Sequence, residues 1–194
     1  MRGGGQGARD QISGARDQIS EATERRLKAS QSICQAALRL GEILPAHVGA
    51  PMRALLDGTT DAEPAVCASC LACLARVAAT LGPALHPWAV ELMRAAEAHL
   101  IAEPRFGADA QAQQAAAHLI ASLLVRLGRD ALALLSPAQL RPIYRRLRVL
   151  RDGAPDQLTR EHAAAAVDAL DALGSALLGS DRQSAGRVLA IRMP

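Results

Sequence analysis

An all-α fold built from stacked helical hairpins is what this sequence predicts, and three observations predict it. Apolar residues recur at helical spacing along most of the 194 residues, and no run of alternating β-branched residues reads as a strand. Asp61, Asp109 and Asp156 stand 48 and 47 residues apart, each in a short polar turn between two apolar stretches. Two of these turns fit one pattern, Arg-x-Leu-x-Asp-Gly-x-x-Asp, from Arg53 to Asp61 and from Arg148 to Asp156; Gly82 and Gly128, 46 residues apart, mark the ends of the helices between. A period in the forties with two helices per unit is the mark of an α-solenoid of HEAT/armadillo-like helical hairpins, in which each hairpin hides its apolar face on the next.

Taken in order, residues 1–20 repeat Gly-Ala-Arg-Asp-Gln-Ile-Ser in tandem, with one apolar residue in seven, which buries too little and predicts a disordered or frayed lead-in. The helical-repeat domain covers residues 21–178. Its first helix starts near Glu21 and carries Leu27, Ile33, Cys34, Ala37, Leu38 and Leu44 on one stripe before Pro45. A shorter helix, 46–56, ends at Asp57-Gly58, residue types that tolerate a left-handed backbone. Asp61 is placed to cap a helix over 62–81 whose buried face is Val66, Cys70, Leu74, Val77 and Leu81. Gly82-Pro83 stops it, and Pro87 suits the first turn of a helix reaching Ile101 with Trp88, Leu92, Ala96 and Leu100 inward.

A turn at Pro104 to Gly107 follows, and Asp109 opens a helix to Leu127 with the stripe Ala116, Leu119, Ile120, Leu123, Leu124 and Leu127. Ser136-Pro137-Ala138-Gln139 is a helix-start signal, a capping serine with proline in the first turn. That helix carries Leu140, Ile143, Tyr144, Leu147 and Leu150, and Asp152-Gly153 again reads as its stop. From Asp156 the last long helix lines its core with Leu158, His162, Ala166, Leu170, Leu173 and Leu177. Residues 179–194 read as a basic-apolar tail, either a cap on the last hairpin or a peptide for a partner to grip.

Composition narrows the function. Half the residues are hydrophobic but only 2% are aromatic, so alanine and leucine carry the core. A net charge of +3 and three aromatics do not suit direct nucleic-acid binding. The uncharged run 64–75 is too short to cross a bilayer, and the glycine-rich start lacks the apolar core of a signal peptide. Cys34, Cys67, Cys70 and Cys73 point to a reducing compartment, hence a cytosolic or nuclear protein. Three cysteines at every third position fan around a helix and do not converge on one metal ion, so they read as core filling, with no metal site and no cofactor expected. His47, His86, His99, His118 and His162 are scattered without a catalytic motif, and no catalytic residues are assigned.

The sharpest surface feature is Arg141, Arg145, Arg148 and Arg151. The first three lie at i, i+4 and i+7, away from Leu140, Ile143 and Leu147. They read either as a docking stripe for an acidic peptide, because arginine pairs carboxylates in a fixed fork, or as a solvated helix face.

Three stretches carry a family resemblance: Ala37 to Pro45, Leu55 to Asp61, and Ala68 to Leu74. It continues through Gln113 to Ile120, Leu123 to Arg126, Glu161 to Ala163 and Ala169 to Leu173, up to the basic-apolar end before Pro194. Together they resemble the C-terminal region of Transport and Golgi organisation protein 6, a family that includes the fungal factor required for nuclear transport of RNA polymerase II. The resemblance implies a HEAT-repeat α-solenoid without enzymatic activity, either the C-terminal end of a larger cytoplasmic protein that shuttles to the nucleus or a truncated form of one. It implies a scaffold or adaptor for RNA polymerase II assembly or nuclear import, with proteins as partners. The alternative implied is a peripheral factor in protein secretion and Golgi organisation that acts by protein–protein binding. HEAT units often place a basic residue early in the second helix; here those positions hold Cys67 and Gln113-Gln114, which puts an ion ladder built on arginines at those positions in doubt.

Overall fold

The computed structural model describes the backbone of residues 6–43, 45–101 and 108–190, and most side chains between residues 18 and 176. Among the described residues the chain is helical apart from short turns, with no strand: α1 (Gln6–Ile43), α2 (Gly49–Gly58), α3 (Pro64–Leu81), α4 (Ala89–Ile101), α5 (Ala108–Leu127), α6 (Ala131–Leu134), α7 (Pro137–Gly153) and α8 (Gln157–Ala190). Short 3-10 turns precede α2, α4 and α6. The turn expected at Pro104 to Gly107, the first five residues of the lead-in, and residues 191–194 of the tail lie outside the described residues, as does the side chain of Leu177.

One row of helices forms the backbone of the fold. α3 packs against α1 on one side and α5 on the other, and α5 packs in turn against α8. The shorter helices lie across this row, α2 on α1 and α3, α4 on α5, and α7 on α8. A single continuous core runs through both rows, from Cys34 and Ala37 through Leu71, Leu74, Leu92, Leu119 and Leu123 to Leu147 and Val167. The expected stripes of α3 and α5 are all buried, as are Leu92, Ala96 and Leu100 of α4. α3 is apolar nearly all round because it has neighbours on most sides. Residues 64–101 include a stretch apolar enough by composition to cross a membrane, but the chain turns at Gly82 and most of that stretch is buried within the fold.

Polar links tie together helices through residues that stand 35 to 46 positions apart along the chain. Arg26 donates to both carboxylate oxygens of Asp61 at 3.0 and 3.1 Å. In the same way Gln114 Nε2 of α5 donates to Asp156 Oδ2 at 3.0 Å. Of these two links one is an ion pair and the other an amide–carboxylate hydrogen bond, and neither comes from an arginine early in α3 or α5. On the shorter helices, His99 Nε2 donates to the Thr59 carbonyl at 2.7 Å and Arg146 Nε to the Leu100 carbonyl at 3.2 Å. These carbonyls lie just after α2 and at the end of α4, where helical partners run out. Arg53 of α2 pairs with Glu91 at 3.0 Å and lies 5.3 Å from the Trp88 ring centroid.

Several local expectations change. α1 begins at Gln6, ahead of Glu21, and so runs through most of the lead-in. Asp61 does not cap α3, which starts at Pro64 after an uncapped Glu63. Instead its Oδ1 accepts from the Glu63 amide at 2.9 Å, closing the turn before the helix. Asp156 does cap α8, its Oδ2 accepting from Thr159 N at 2.8 Å and Thr159 Oγ1 at 2.9 Å. The Ser136 cap of α7 is present, with Gln139 N donating to Oγ at 3.3 Å. Leu158 is 47% exposed, because a strict four-residue step drifts off the face of a 3.6-residue helix; Thr159, Ala163, Ala166 and Val167 take the core.

The glycines divide into two groups. Gly82 and Gly128, the expected stops, have φ of +54° and +50° and close α3 and α5 in the region glycine favours. Gly58 and Gly153 do not adopt positive φ; they are the last residues of α2 and α7. Gly58 is required for a different reason: a Cβ there would sit 2.5 Å from Cys70 Sγ. Gly128→Ala is therefore expected to cost about 1 kcal/mol in urea unfolding, while Gly153→Ala, with open space around it, costs nothing or stabilises. Gly58→Ala should destabilise by about 1–3 kcal/mol, and Cys70→Ala in the same chain should recover part of that loss.

Candidate protein-binding surface

The arginines of α7 stand where helical spacing places them. Ile143, Leu147 and Leu150 face the core, which leaves Arg141, Arg145 and Arg148 exposed on the outer face. None of the three makes a hydrogen bond or ion pair among the described residues. Arg151 departs from the stripe, since its Nε donates to Asp152 Oδ1 at 2.8 Å and its charge is already matched. That contact holds the Asp152 carboxyl below the usual range, with Arg148 a lesser contributor. Arg146 leaves the outer face for the Leu100 carbonyl. Like charges three and four residues apart on one helix repel by a few tenths of a kcal/mol per pair, so this face is not arranged for the helix's own stability.

Two concavities adjoin the stripe. One, of about 280 Å³ and mostly apolar, opens between α6, α7 and α8 against Leu132, Leu140, Leu170, Leu173 and Gly174, with Arg141 and Arg145 on its rim. The other is shallower and holds Arg148, Asp152 and Val149, which is 59% exposed. Tyr144 stands between them, its hydroxyl donating to Asp171 Oδ1 at 2.9 Å and so fixing the ring.

The four thiols are free and buried. Cys67 Sγ donates to the Asp61 carbonyl at 3.0 Å. Burial pushes Cys70 up to about 11 and Cys73 to about 12, the latter with further help from the neighbouring Cys34 thiol. Thiols held so far from ionisation are poor nucleophiles. Among the described residues no group of three or more potential metal ligands converges.

A third concavity lies across α3, α5 and α8, where His118 and His162 stack with centroids 4.3 Å apart and planes 11° from parallel. This pairing was not legible in the sequence, although the two residues are about one repeat apart. Burial lowers both pKa values, and the His162 ring lowers that of His118 further. Glu161 and Asp156 oppose the shift at His162, and Arg126 lines the same hollow.

Residues 139–172 match the family model described as "Required for nuclear transport of RNA pol II C-terminus 2". The match, confined to that segment, supports a likeness to a C-terminal region of this family. The matched segment of that region covers most of α7 and the first half of α8, and contains all four arginines of the stripe together with Tyr144 and its partner Asp171. No curated protein and no solved structure matches the chain.

Two outcomes follow from this surface. Arg145→Glu should leave the urea midpoint unchanged or raise stability by up to about 0.5 kcal/mol, because it removes repulsion and breaks no contact. The histidine pair carries the opposite kind of signature. Because the folded chain resists protons that the unfolded chain accepts, stability is full above about pH 6.5 and falls as pH drops below it. A His118→Gln, His162→Gln double variant should flatten urea midpoints between pH 7.5 and pH 5.5 relative to the parent, in a range set by the ordinary histidine pKa of about 6.5.

Proposed function

We propose that this chain is a non-enzymatic helical-repeat scaffold, an α-solenoid of HEAT type, that supports the assembly or nuclear import of RNA polymerase II by holding partner proteins. The observation that carries the reading is the family match over residues 139–172. The packing agrees with it: a row of long helices, a second row laid across it, and polar links that recur about one repeat apart. In such an array the long helices line one face and the shorter helices the other, so partners can be held on either. The charged outer face of α7 lies within the matched segment and is not used by the fold, which makes it the contact we assign. The protein is then expected in the cytoplasm, shuttling to the nucleus.

Depletion of the protein from cells should leave polymerase II subunits accumulating in the cytoplasm, seen by imaging a tagged large subunit. Re-expression of the parent chain should restore nuclear signal, and an Arg141→Glu, Arg145→Glu, Arg148→Glu chain should restore it less. Unchanged polymerase localisation, with the protein sedimenting on Golgi membranes, would overturn the reading in favour of a role in secretion.

A further inference from the structure

Gly174 sits in the interior of α8 with no need of its own for glycine. Its φ is not positive, and a Cβ built there would meet no heavy atom of the described residues within 4 Å. Glycine at such a position costs a helix about 1 kcal/mol relative to alanine. Its bare backbone forms part of the wall of the 280 Å³ apolar concavity, which Leu140 of α7 also lines. A side chain at 174 would project into open space beside that hollow, so the missing side chain helps keep it open.

The rim supplies the second half of the pattern. Arg141 and Arg145 border the apolar hollow, and Arg148 continues the line on the far side of Tyr144. Arg141 and Arg148 are separated by about 10 Å along the helix axis, at 1.5 Å per residue. Two carboxylates beside this line are already engaged, Asp152 by Arg151 and Asp171 by Tyr144, and the field of Asp168 falls on Arg151. Three cations that make no hydrogen bond or ion pair among the described residues, beside an apolar hollow, complement an anionic ligand that also carries an apolar group. A nucleic acid would answer the charge but has no aliphatic or benzylic side chain for the hollow, and the one aromatic ring at the site is tied to Asp171.

We propose that the α6–α7–α8 concavity and its arginine rim form a docking site for an acidic peptide segment of a partner protein, which seats one large apolar side chain beside Gly174 and sets flanking carboxylates on Arg141, Arg145 and Arg148. This deepens the function proposed above, since it rests on the chain working by holding proteins. The apolar anchor supplies affinity by leaving water, and the arginine forks supply orientation and salt dependence.

The probe is a short fluorescein-labelled glutamate-rich peptide with one central phenylalanine, titrated with the full chain by fluorescence anisotropy. Binding should weaken about ten-fold or more, beyond ~1.4 kcal/mol, when the phenylalanine is replaced by alanine, and again when salt is raised. Gly174→Leu should plug the hollow and Arg145→Glu should reverse the rim, each weakening binding to a similar degree; both leave the fold intact, which unchanged thermal unfolding checks. Equal binding of the phenylalanine and alanine peptides, undiminished binding by Gly174→Leu, or tighter binding of a single-stranded RNA than of the peptide would each overturn the site. Peptide binding with these losses, in cells whose polymerase localisation ignores depletion, would uphold the site and remove the polymerase reading. Failed peptide binding, with polymerase mislocalised on depletion, would do the reverse.

Discussion

The whole arrangement depends on hiding α3. Eleven of its eighteen residues are buried, from Val66 to Leu81, and they are spread around most of its circumference. No single partner can cover such a helix, so it must have α1 on one flank, α5 on the other and α2 across it. α5 repeats the situation with α3, α4 and α8 around it. Small residues make this closeness possible: Ala68, Ala75 and Ala78 of α3, and Ala112, Ala116 and Ala117 of α5, are buried without bulk. Among the described residues, the long helices at the two ends of the row, α1 and α8, each pack against a single long helix of the row.

Hydrophobic burial sets the strength of this packing but is indifferent to small sliding of one hairpin along another. The polar links resist sliding. An exposed ion pair such as Arg53–Glu91 contributes well under about 1 kcal/mol, so its value lies in register. The carbonyls of Thr59 and Leu100 are better placed for that task, because helix ends offer directional acceptors with no partner of their own. At Asp156 a neutral amide donor, Gln114 Nε2, makes the contact that an arginine makes at Asp61.

Much of this was legible in the sequence. Gly82 and Gly128 were readable as stops because each stands where one apolar stripe ends and another begins out of register with it, and both took up positive φ. The stripes of α3 and α5 were readable because these helices are long enough to show their period. Asp-Gly at 57–58 and 152–153 misled, since glycine in a last helical turn and glycine just beyond it look identical in one dimension. Asp61 was misplaced because an aspartate can close a turn two residues before a helix as readily as cap it. At the candidate surface, spacing alone put Arg141, Arg145 and Arg148 on one face. The hollow beside them was invisible, because its walls come from α6 and α8, and so was the neutralisation of Arg151 by its own neighbour. Links that span a repeat, such as Arg26–Asp61 or the His118–His162 stack, require knowing which hairpins lie side by side.

The thiols of the first hairpins have one more consequence. Cys34, Cys67, Cys70 and Cys73 are all shut away where α1, α2 and α3 meet, with Cys70 pressed against Gly58. An alkylating reagent can reach them only when that corner comes apart. Their labelling rate therefore acts as a built-in clock for the opening of the N-terminal hairpins, while the cysteine-free half from α4 onward stays silent.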